Sequence, residues 1–476
     1  MVIGLINKQN ISIASLLVFS LSFHLFGYFF LYDFANDEGE FLINAKNLVL
    51  FNQPSLEGIY NTALAPLHTF FHAFLFGLLS PDILISRYVS IFCAVSLLGF
   101  FYIFVRNWYS HKIAIFALTM IAVNGVFNRY TTQATMEAEV YFFTILTILF
   151  CFSSKTWIRR LSFLPFSLCL GFKPLFFYLA IPFIYALLMG RVERNKFRFK
   201  FSKSSTTDVG IFLLGTFFLT GSIFYFTYII NPDDFLSTLF KSDNIERFNI
   251  YKLITEPLKY GLFPSFYDFI QRSPITCLCF VWGIVSTIRD KKKTSVDKFL
   301  LLWVFIEIIF YAPQNFVPYR YLIDLMFPLS VLSAKAILRD LRNQKLIKVT
   351  KFNLAQMILA SIIIFQISTS LVFFLVWKPE RPAMEASQWL AENEANYDLI
   401  LSPSQISIDI PHKTLSVSGD TLTVKDLLTG RKITYPVLCV IQKTAAKVHK
   451  EDQTFLSTNG KVIKKIGYFW VYEIYE

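Results

Sequence analysis

Long apolar runs separated by short polar stretches dominate roughly the first 378 residues of the chain. A helix that crosses a membrane needs about 20 mostly apolar residues, and runs near this length recur. We predict about eleven transmembrane helices, near residues 11–32, 86–106, 112–127, 138–154, 160–172, 175–190, 209–230, 269–288, 298–313, 321–338 and 352–377. The pattern indicates an α-helical polytopic membrane protein.

The pattern changes in a proline-containing linker at residues 377–382. A helix is predicted near 383–396, and alternating apolar and polar stretches at 397–401 and 437–442 are typical of strands. We therefore predict two units. Residues 1–378 form a transmembrane module with interfacial helices in the outer loop 33–85, and residues 379–476 form a small soluble α/β domain.

The composition of the chain is also that of a membrane protein. The 476 residues are 54% hydrophobic and 16% charged, whereas soluble proteins carry about 25% charged residues. This excludes an ordinary soluble enzyme and a disordered chain. Five of the six cysteines lie in apolar segments, so neither a disulfide framework nor a four-ligand zinc site is indicated.

The net charge of +12 reflects clusters of Lys and Arg between apolar runs. The clusters lie near residues 155–160, 191–203, 289–298 and 339–351, and the positive-inside rule places such loops in the cytoplasm. With an odd number of spans, the N-terminus is then cytoplasmic and the C-terminal domain extracytoplasmic. No basic stripe occurs in a soluble segment, so no nucleic-acid partner is expected.

An acidic segment follows the first predicted span. Asp33, Asp37, Glu38 and Glu40 lie within eight residues of one another. One interpretation is a solvated loop in which Asn36 or Asp37 caps a helix over 38–50. The other is that Asp37 or Glu38 points into an outward cavity and acts as a base.

A second acidic position lies at the outer mouth of the fourth predicted span, where Glu137 and Glu139 follow Arg129. Two residues that are two positions apart do not share a helical face. At most one of these glutamates therefore points inward with Asp37. The alternative is a pair of interfacial acids balanced by Arg129.

Two cations lie on the same predicted side. Lys173 interrupts an uncharged stretch, and Pro174 after it predicts a break between two short spans. Lys173 either snorkels to the headgroups or holds a lipid phosphate. Arg320 opens the tenth span, where a guanidinium can bind two phosphate oxygens.

Candidate acceptor or interfacial contacts are Pro66 and His68 in the outer loop and Arg87, which follows it at the start of the second predicted span. His68 and His72 have the i, i+4 spacing that can bind a metal. No third ligand lies nearby in sequence, so plain interfacial histidines are the other interpretation.

Taken in order, these features resemble the GT-C membrane glycosyltransferases, over roughly residues 30–340. The bacterial branch related to protein O-mannosyltransferases and the aminoarabinose lipid A transferases is the most similar. The resemblance implies a catalytic acid at Asp37 with Glu38 beside it, a second acidic position at Glu137, and phosphate contacts at Lys173 and Arg320. Relatives often carry Lys-Pro-Pro-Leu where this chain has Leu-Ala-Pro-Leu at 64–67.

The implied activity is inverting transfer of a sugar from a polyprenyl-phosphate carrier to a lipid, glycan or protein acceptor. It would occur at the outer face of a bacterial inner (plasma) membrane. No cofactor is required by this chemistry, although a divalent metal stays open because acid pairs can hold one. The alternatives are a transporter or flippase of lipid-linked sugars and a non-catalytic membrane assembly subunit.

Overall fold

The computed structural model describes nine main stretches of the chain. They are residues 8–52, 65–189, 203–230, 262–312, 319–343, 354–372, 381–409, 435–442 and 450–475, with 414–416 and the single residues 232, 314, 424 and 428. The predicted domain boundary at 378–379 and residues 53–64 of the predicted outer loop 33–85 lie outside the described residues.

Helices make up the first module. They are α1 (Lys8–Phe26), α2 (Asn36–Phe51), α3 (Pro66–Leu79), α4 (Ile83–Trp108), α5 (His111–Ala122), α6 (Gly125–Thr132), α7 (Glu137–Cys151), α8 (Thr156–Arg160), α9 (Phe163–Phe172), α10 (Ala180–Leu188), α11 (Lys203–Ile230), α12 (Leu262–Arg272), α13 (Pro274–Arg289), α14 (Ser295–Tyr311), α15 (Ile323–Asn343) and α16 (Leu354–Val372). A π-helical turn at Gly27–Leu31 extends α1, and 3₁₀ turns at Pro174–Leu179 and Tyr319–Leu322 precede α10 and α15.

Each of the eleven predicted segments overlaps a helix, but the segments 112–127 and 269–288 each cross a bend, of 66° between α5 and α6 and of 115° between α12 and α13. By length and composition, four helical stretches of the described chain are able to cross a membrane: Ser12–Leu31, Ile83–Trp108, Ser205–Ile230 and Arg320–Asp340. Two bent pairs, α5 with α6 and α12 with α13, raise the number to six. The structure thus supports a polytopic membrane protein, while the count of eleven spans is not established by it.

Helices α13 and α15 pack closely enough at Gly283 for their backbones to approach each other. A Cβ added to Gly283 of α13 would lie 2.6 Å from the backbone nitrogen of Ser333 in α15. The Ser333 hydroxyl donates to the carbonyl oxygen of Cys279 at 2.8 Å. Small residues allow such close approach between membrane helices.

The C-terminal unit has a mixed sheet. Its elements are α17 (Pro382–Asn393), β1 (Ile400–Ser402), α18 (Ser404–Ser407), β2 (Thr414–Ser416), β3 (Val437–Gln442), α19 (Lys450–Asn459), β4 (Gly460–Ile466) and β5 (Phe469–Ile474). The strand order is β2-β1-β3-β5-β4. Strand β1 is parallel to β2 and β3, whereas β5 is antiparallel to β3 and β4. The predicted helix and the two predicted strand regions are present.

The C-terminal unit is not separated from the helical module. Phe34, Leu42 and Ile43, on and before α2, share an apolar cluster with Leu390 of α17 and Ile406 of α18. All five side chains are buried. The domain therefore packs directly on the segment that carries the acidic residues.

Candidate active site

Asp37 lies in the first turn of α2, where the helix dipole favours a negative charge. Helix α2 begins at Asn36 with Ala35 as the N-cap. The prediction that Asn36 or Asp37 caps a helix over 38–50 is therefore wrong, because the helix starts two residues earlier and both residues lie inside its first turn. Glu38, also in the first turn, accepts a hydrogen bond from the backbone N–H of Ala35. The side chain of Asp37 is 36% exposed, and its carboxylate accepts a hydrogen bond from the Arg320 guanidinium.

Glu38, although adjacent in sequence, is completely buried. Its carboxylate accepts from the backbone N–H groups of Ala35 and Ala134, each at 2.8 Å. Arg87 donates to both of its oxygens, from Nε at 2.8 Å and from Nη2 at 2.6 Å. These bonds occupy most of the acceptor capacity of Glu38, so it is well suited to hold the segment in place.

Arg87, on α4, is also fully buried. Besides Glu38, it donates to the carbonyl oxygens of Tyr32 at 3.0 Å and Asp33 at 2.6 Å. Its guanidinium lies 5.2 Å from the centre of the Phe34 ring. One arginine thus binds both ends of the short segment between α1 and Asp37.

Glu137, Lys173 and Arg320 come together beside Asp37. Lys173 Nζ donates to Glu137 Oε1 at 3.0 Å. Arg320 Nε lies 3.4 Å from the same oxygen. Glu137 Oε2 accepts no hydrogen bond within the described part of the chain. The side chains of Glu137 and Lys173 are 2% and 6% exposed, so the cluster runs from a partly open Asp37 to a closed Lys173.

The backbone explains the position of Lys173. Helix α9 ends at Phe172, and Lys173 adopts an extended conformation with φ −150° and ψ 95°. Pro174 disfavours a helical conformation in the residue before it. The predicted break is present, and Lys173 turns inward so that Nζ lies 4.0 Å from the centre of the Tyr321 ring. It does not snorkel.

The two glutamates of α7 point apart, as predicted. Glu139 is buried and accepts from the Ser90 hydroxyl at 2.9 Å. Glu137 alone reaches the cations. Arg129 is exposed and lies near the ring of Tyr130.

Pro66 and His68 lie on α3, which packs against α2. Pro66 is the first residue of α3, and His68 is fully buried between the rings of Phe41 and Phe172. Burial lowers the pKa of His68 to about 3, so its ring is neutral near neutral pH. Contact of Pro66, His68 or Arg87 with an acceptor would require movement of the surrounding helices.

As far as the structure describes the site, its acidic residues do not form a set of ligands for a divalent metal. Within the described ranges, no three His, Cys, Asp or Glu side chains come close enough to hold an ion. The two acids nearest the opening, Asp37 and Glu137, are already paired with Arg320 and Lys173. A divalent metal ion would also be repelled by the positive charges of these two side chains.

Two features were missed by the sequence analysis. Asp33 binds the C-terminal domain, and no local motif marks that contact. Glu307, on α14, is buried beside Asp324 on α15. Trp303 Nε1 donates to Asp324 at 3.0 Å. A signal for this pair existed, since acids inside apolar runs are rare.

Comparison with solved structures identifies the fold. ArnT from Cupriavidus metallidurans, in its crystal structure bound to undecaprenyl phosphate, matches 97% of both chains with a TM-score of 0.67 and 12% sequence identity. Archaeal oligosaccharyltransferase AglB from Archaeoglobus fulgidus, in complex with an inhibitory peptide and a dolichol-phosphate, matches 85% of this chain and 64% of its own. The TM-score for AglB is 0.53 at 12% identity.

Both similar proteins are glycosyltransferases of the GT-C type. The expected GT-C fold is therefore confirmed. No protein-family model matches the chain, and no curated protein sequence does.

Proposed function

We propose that the chain is a membrane glycosyltransferase that moves a sugar from a polyprenyl-phosphate carrier to a lipid, glycan or protein acceptor. The supporting observation is one partly exposed carboxylate, Asp37, paired with Arg320, which in turn shares Glu137 with a second cation, Lys173. A base and a phosphate site are the two things that such a transfer needs. The similar structures contain undecaprenyl phosphate and a dolichol-phosphate.

In the proposed reaction, Asp37 removes a proton from an acceptor hydroxyl or amine. The acceptor atom attacks the anomeric carbon, and the bond from that carbon to the phosphate oxygen breaks. Its electron pair leaves with the polyprenyl phosphate, and the proton stays on Asp37. A single displacement inverts the anomeric centre, and phosphate needs little protonation to leave.

The cations would act on the leaving group. Negative charge grows on the phosphate as the bond breaks, and positioned cations in a partly buried site stabilise that charge. Arg320 provides a planar guanidinium that can bind two phosphate oxygens. Lys173 is held by Glu137 and by the Tyr321 ring.

The ion pair between Asp37 and Arg320 suggests an order of events. While Arg320 is bound to Asp37, its guanidinium occupies a carboxylate oxygen that the acceptor's proton would need. A phosphate near Arg320 would compete for the guanidinium and leave the carboxylate free to accept a proton. Donor binding would thereby prepare the base.

Glu38 supports the position of Asp37 in this proposal. Its hydrogen bonds with Arg87 and two backbone amides fix the first turn of α2. It would orient Asp37 without accepting the substrate's proton.

We further propose eleven spans with a cytoplasmic N-terminus and an extracytoplasmic C-terminal domain. Two charged clusters lie near opposite ends of α4, which supports placing them on opposite sides of the membrane, and the positive-inside rule then assigns the basic side to the cytoplasm. Arg87, which belongs to the site, lies near the start of α4. Tyr109, directly after the end of α4, donates a hydrogen bond to Asp297, which pairs with Lys335. A rise of 1.5 Å per residue separates Arg87 and Tyr109 by about 33 Å, close to the thickness of a bilayer's hydrocarbon core.

The test compares turnover by purified wild type and variants. Protein is incubated with a panel of polyprenyl-phosphate sugars and native membrane extract, and free polyprenyl phosphate is measured. Asp37→Asn should lower kcat by about 10²- to 10⁴-fold, because it removes the general base. The fold should be retained, since Asn can still bind Arg320.

Asp398→Asn is the matched control, because Asp398 is an exposed carboxylate of the C-terminal domain. It should match wild type. Full activity in Asp37→Asn would overturn the assignment of the base. No release from any donor by folded wild type would favour a transporter or an assembly subunit.

A further inference from the structure

Asp33 joins the acidic segment to the C-terminal domain. Its carboxylate accepts from the backbone N–H groups of Ala383 at 2.9 Å and Met384 at 3.0 Å. These are first-turn donors of α17, which a helix cannot satisfy internally. Arg381, the N-cap residue of α17, provides no side-chain cap. Asp33 therefore caps a helix that lies 350 residues further along the chain.

The same residue is held on its other side by the helical module. Arg87 donates to the carbonyl oxygen of Asp33 at 2.6 Å and to both oxygens of Glu38. Asp33 and Glu38 bracket Asp37 in sequence. The segment that carries Asp37 is thus held by two contacts, one with Arg87 of the helical module and one with the first turn of α17.

Further contacts fix the domain in this position. Arg381 donates to the carbonyl oxygens of Tyr28 and Phe29, within the π-helical turn at the end of α1. Lys46, fully buried on α2, donates to the carbonyl oxygen of Ser407 at 2.6 Å. Asp409 accepts from the backbone N–H of Ile83, the first residue of α4, at 3.0 Å.

We infer that the C-terminal domain positions the Asp37 segment and that Asp33 is the positioning residue through which it acts. The inference rests on the proposed function for its catalytic consequence, but its structural part is independent of that function. Lys173 and Arg320 lie on other elements, and their ion pairs within the described part of the chain are with Glu137 and Asp37. Loss of the Asp33 cap should therefore slow the chemical step without weakening donor binding.

The kinetic test uses two substitutions at Asp33 in the full-length protein. Asp33→Ala removes both bonds to α17 and the bond to the Phe34 N–H but leaves the backbone carbonyl that Arg87 binds. We expect kcat to fall by about 10- to 100-fold, as is typical when a reacting group is misplaced by about 1 Å. The dissociation constant for the polyprenyl-phosphate sugar should not rise, because the cations that would bind the phosphate stay in place.

Asp33→Asn is the conservative variant, because its remaining oxygen can still accept from Met384 and Phe34, as Oδ1 of Asp33 does. It should recover most of the lost kcat. The inference is overturned if Asp33→Ala turns over like wild type, if it loses donor affinity in parallel with kcat, or if Asp33→Asn is no better than Asp33→Ala.

Amide hydrogen exchange tests the inference without any turnover. In Asp33→Ala, exchange should accelerate both in residues 383–386 and in residues 35–38, with Asp398→Asn as the unchanged control. Residue 34 is left out because its N–H bonds directly to the Asp33 carboxylate. Faster exchange in 383–386 alone would show that the domain does not hold the Asp37 segment. If wild type releases no polyprenyl phosphate, the proposed function fails, and this measurement still decides the structural part.

Discussion

Asp37 and Glu38 are neighbours in sequence with opposite environments. Asp37 is more than a third exposed and bonds to one arginine, whereas Glu38 is buried and accepts from two amides and from Arg87. Two carboxylates in different environments are suited to different tasks. The sequence predicted the acidic pair but could not divide the roles, because the partners of Glu38 lie on α4 and before α7.

Lys46 gives the domain interface a pH dependence. Burial lowers its pKa to about 7, although Asp409 and Glu394 act in the opposite direction. Between about pH 7 and about pH 10, the unfolded chain binds a proton on Lys46 that the folded chain does not, so folded stability rises with pH. We expect the thermal midpoint of wild type to rise from pH 7 to pH 9 relative to that of Lys46→Met, in the same detergent and at one scan rate.

Lys46→Met is the appropriate reference because it keeps the length of the side chain and removes the titrating group. Other groups contribute equally to both proteins, so only the difference between midpoints carries the Lys46 contribution. A difference that does not vary with pH would show that Lys46 keeps an ordinary pKa in the folded protein.

At the scale of elements, the helices follow from the length of the apolar runs, and the break at Lys173 follows from Pro174. The docking of α17 on Asp33 could not be predicted. Its donors are the backbone N–H groups of Ala383 and Met384, which leave no mark in the side-chain sequence. The sequence also gave no sign that the domain and α2 share one apolar cluster.

The close contact of α13 with α15 predicts a specific sensitivity. In Gly283→Ala, the added methyl group would lie 2.6 Å from Ser333 N, so the two helices must move apart. We expect a loss of about 1–3 kcal/mol, seen as a lower thermal midpoint in detergent. Gly99→Ala on α4 is the matched control because no atom lies within 4 Å of its added Cβ.

Gly99→Ala should leave the midpoint unchanged or raise it, since alanine favours a helix over glycine by about 1 kcal/mol. Equal effects of the two substitutions would argue that α13 and α15 do not pack at Gly283 as described.

For the whole molecule, the proposed sidedness places the site and the C-terminal domain outside. A reporter that is active only outside the cytoplasm, fused after residue 476, should be active. The same reporter fused in the basic loop at Lys291 should be inactive, and a fluorescent protein that folds only in the cytoplasm should show the reverse pattern. A fluorescent C-terminal fusion would place the C-terminal domain and the site in the cytoplasm and contradict the proposed orientation.

The central claim is attack at the anomeric carbon of a polyprenyl-phosphate sugar. The most direct measurement places a heavy oxygen isotope between that carbon and the phosphorus of the donor and follows it by mass spectrometry. We predict that wild type releases polyprenyl phosphate that carries the label, with inverted configuration in the glycosylated product. Label retained on the transferred sugar would mean that the phosphorus–oxygen bond breaks, which would contradict the proposed mechanism.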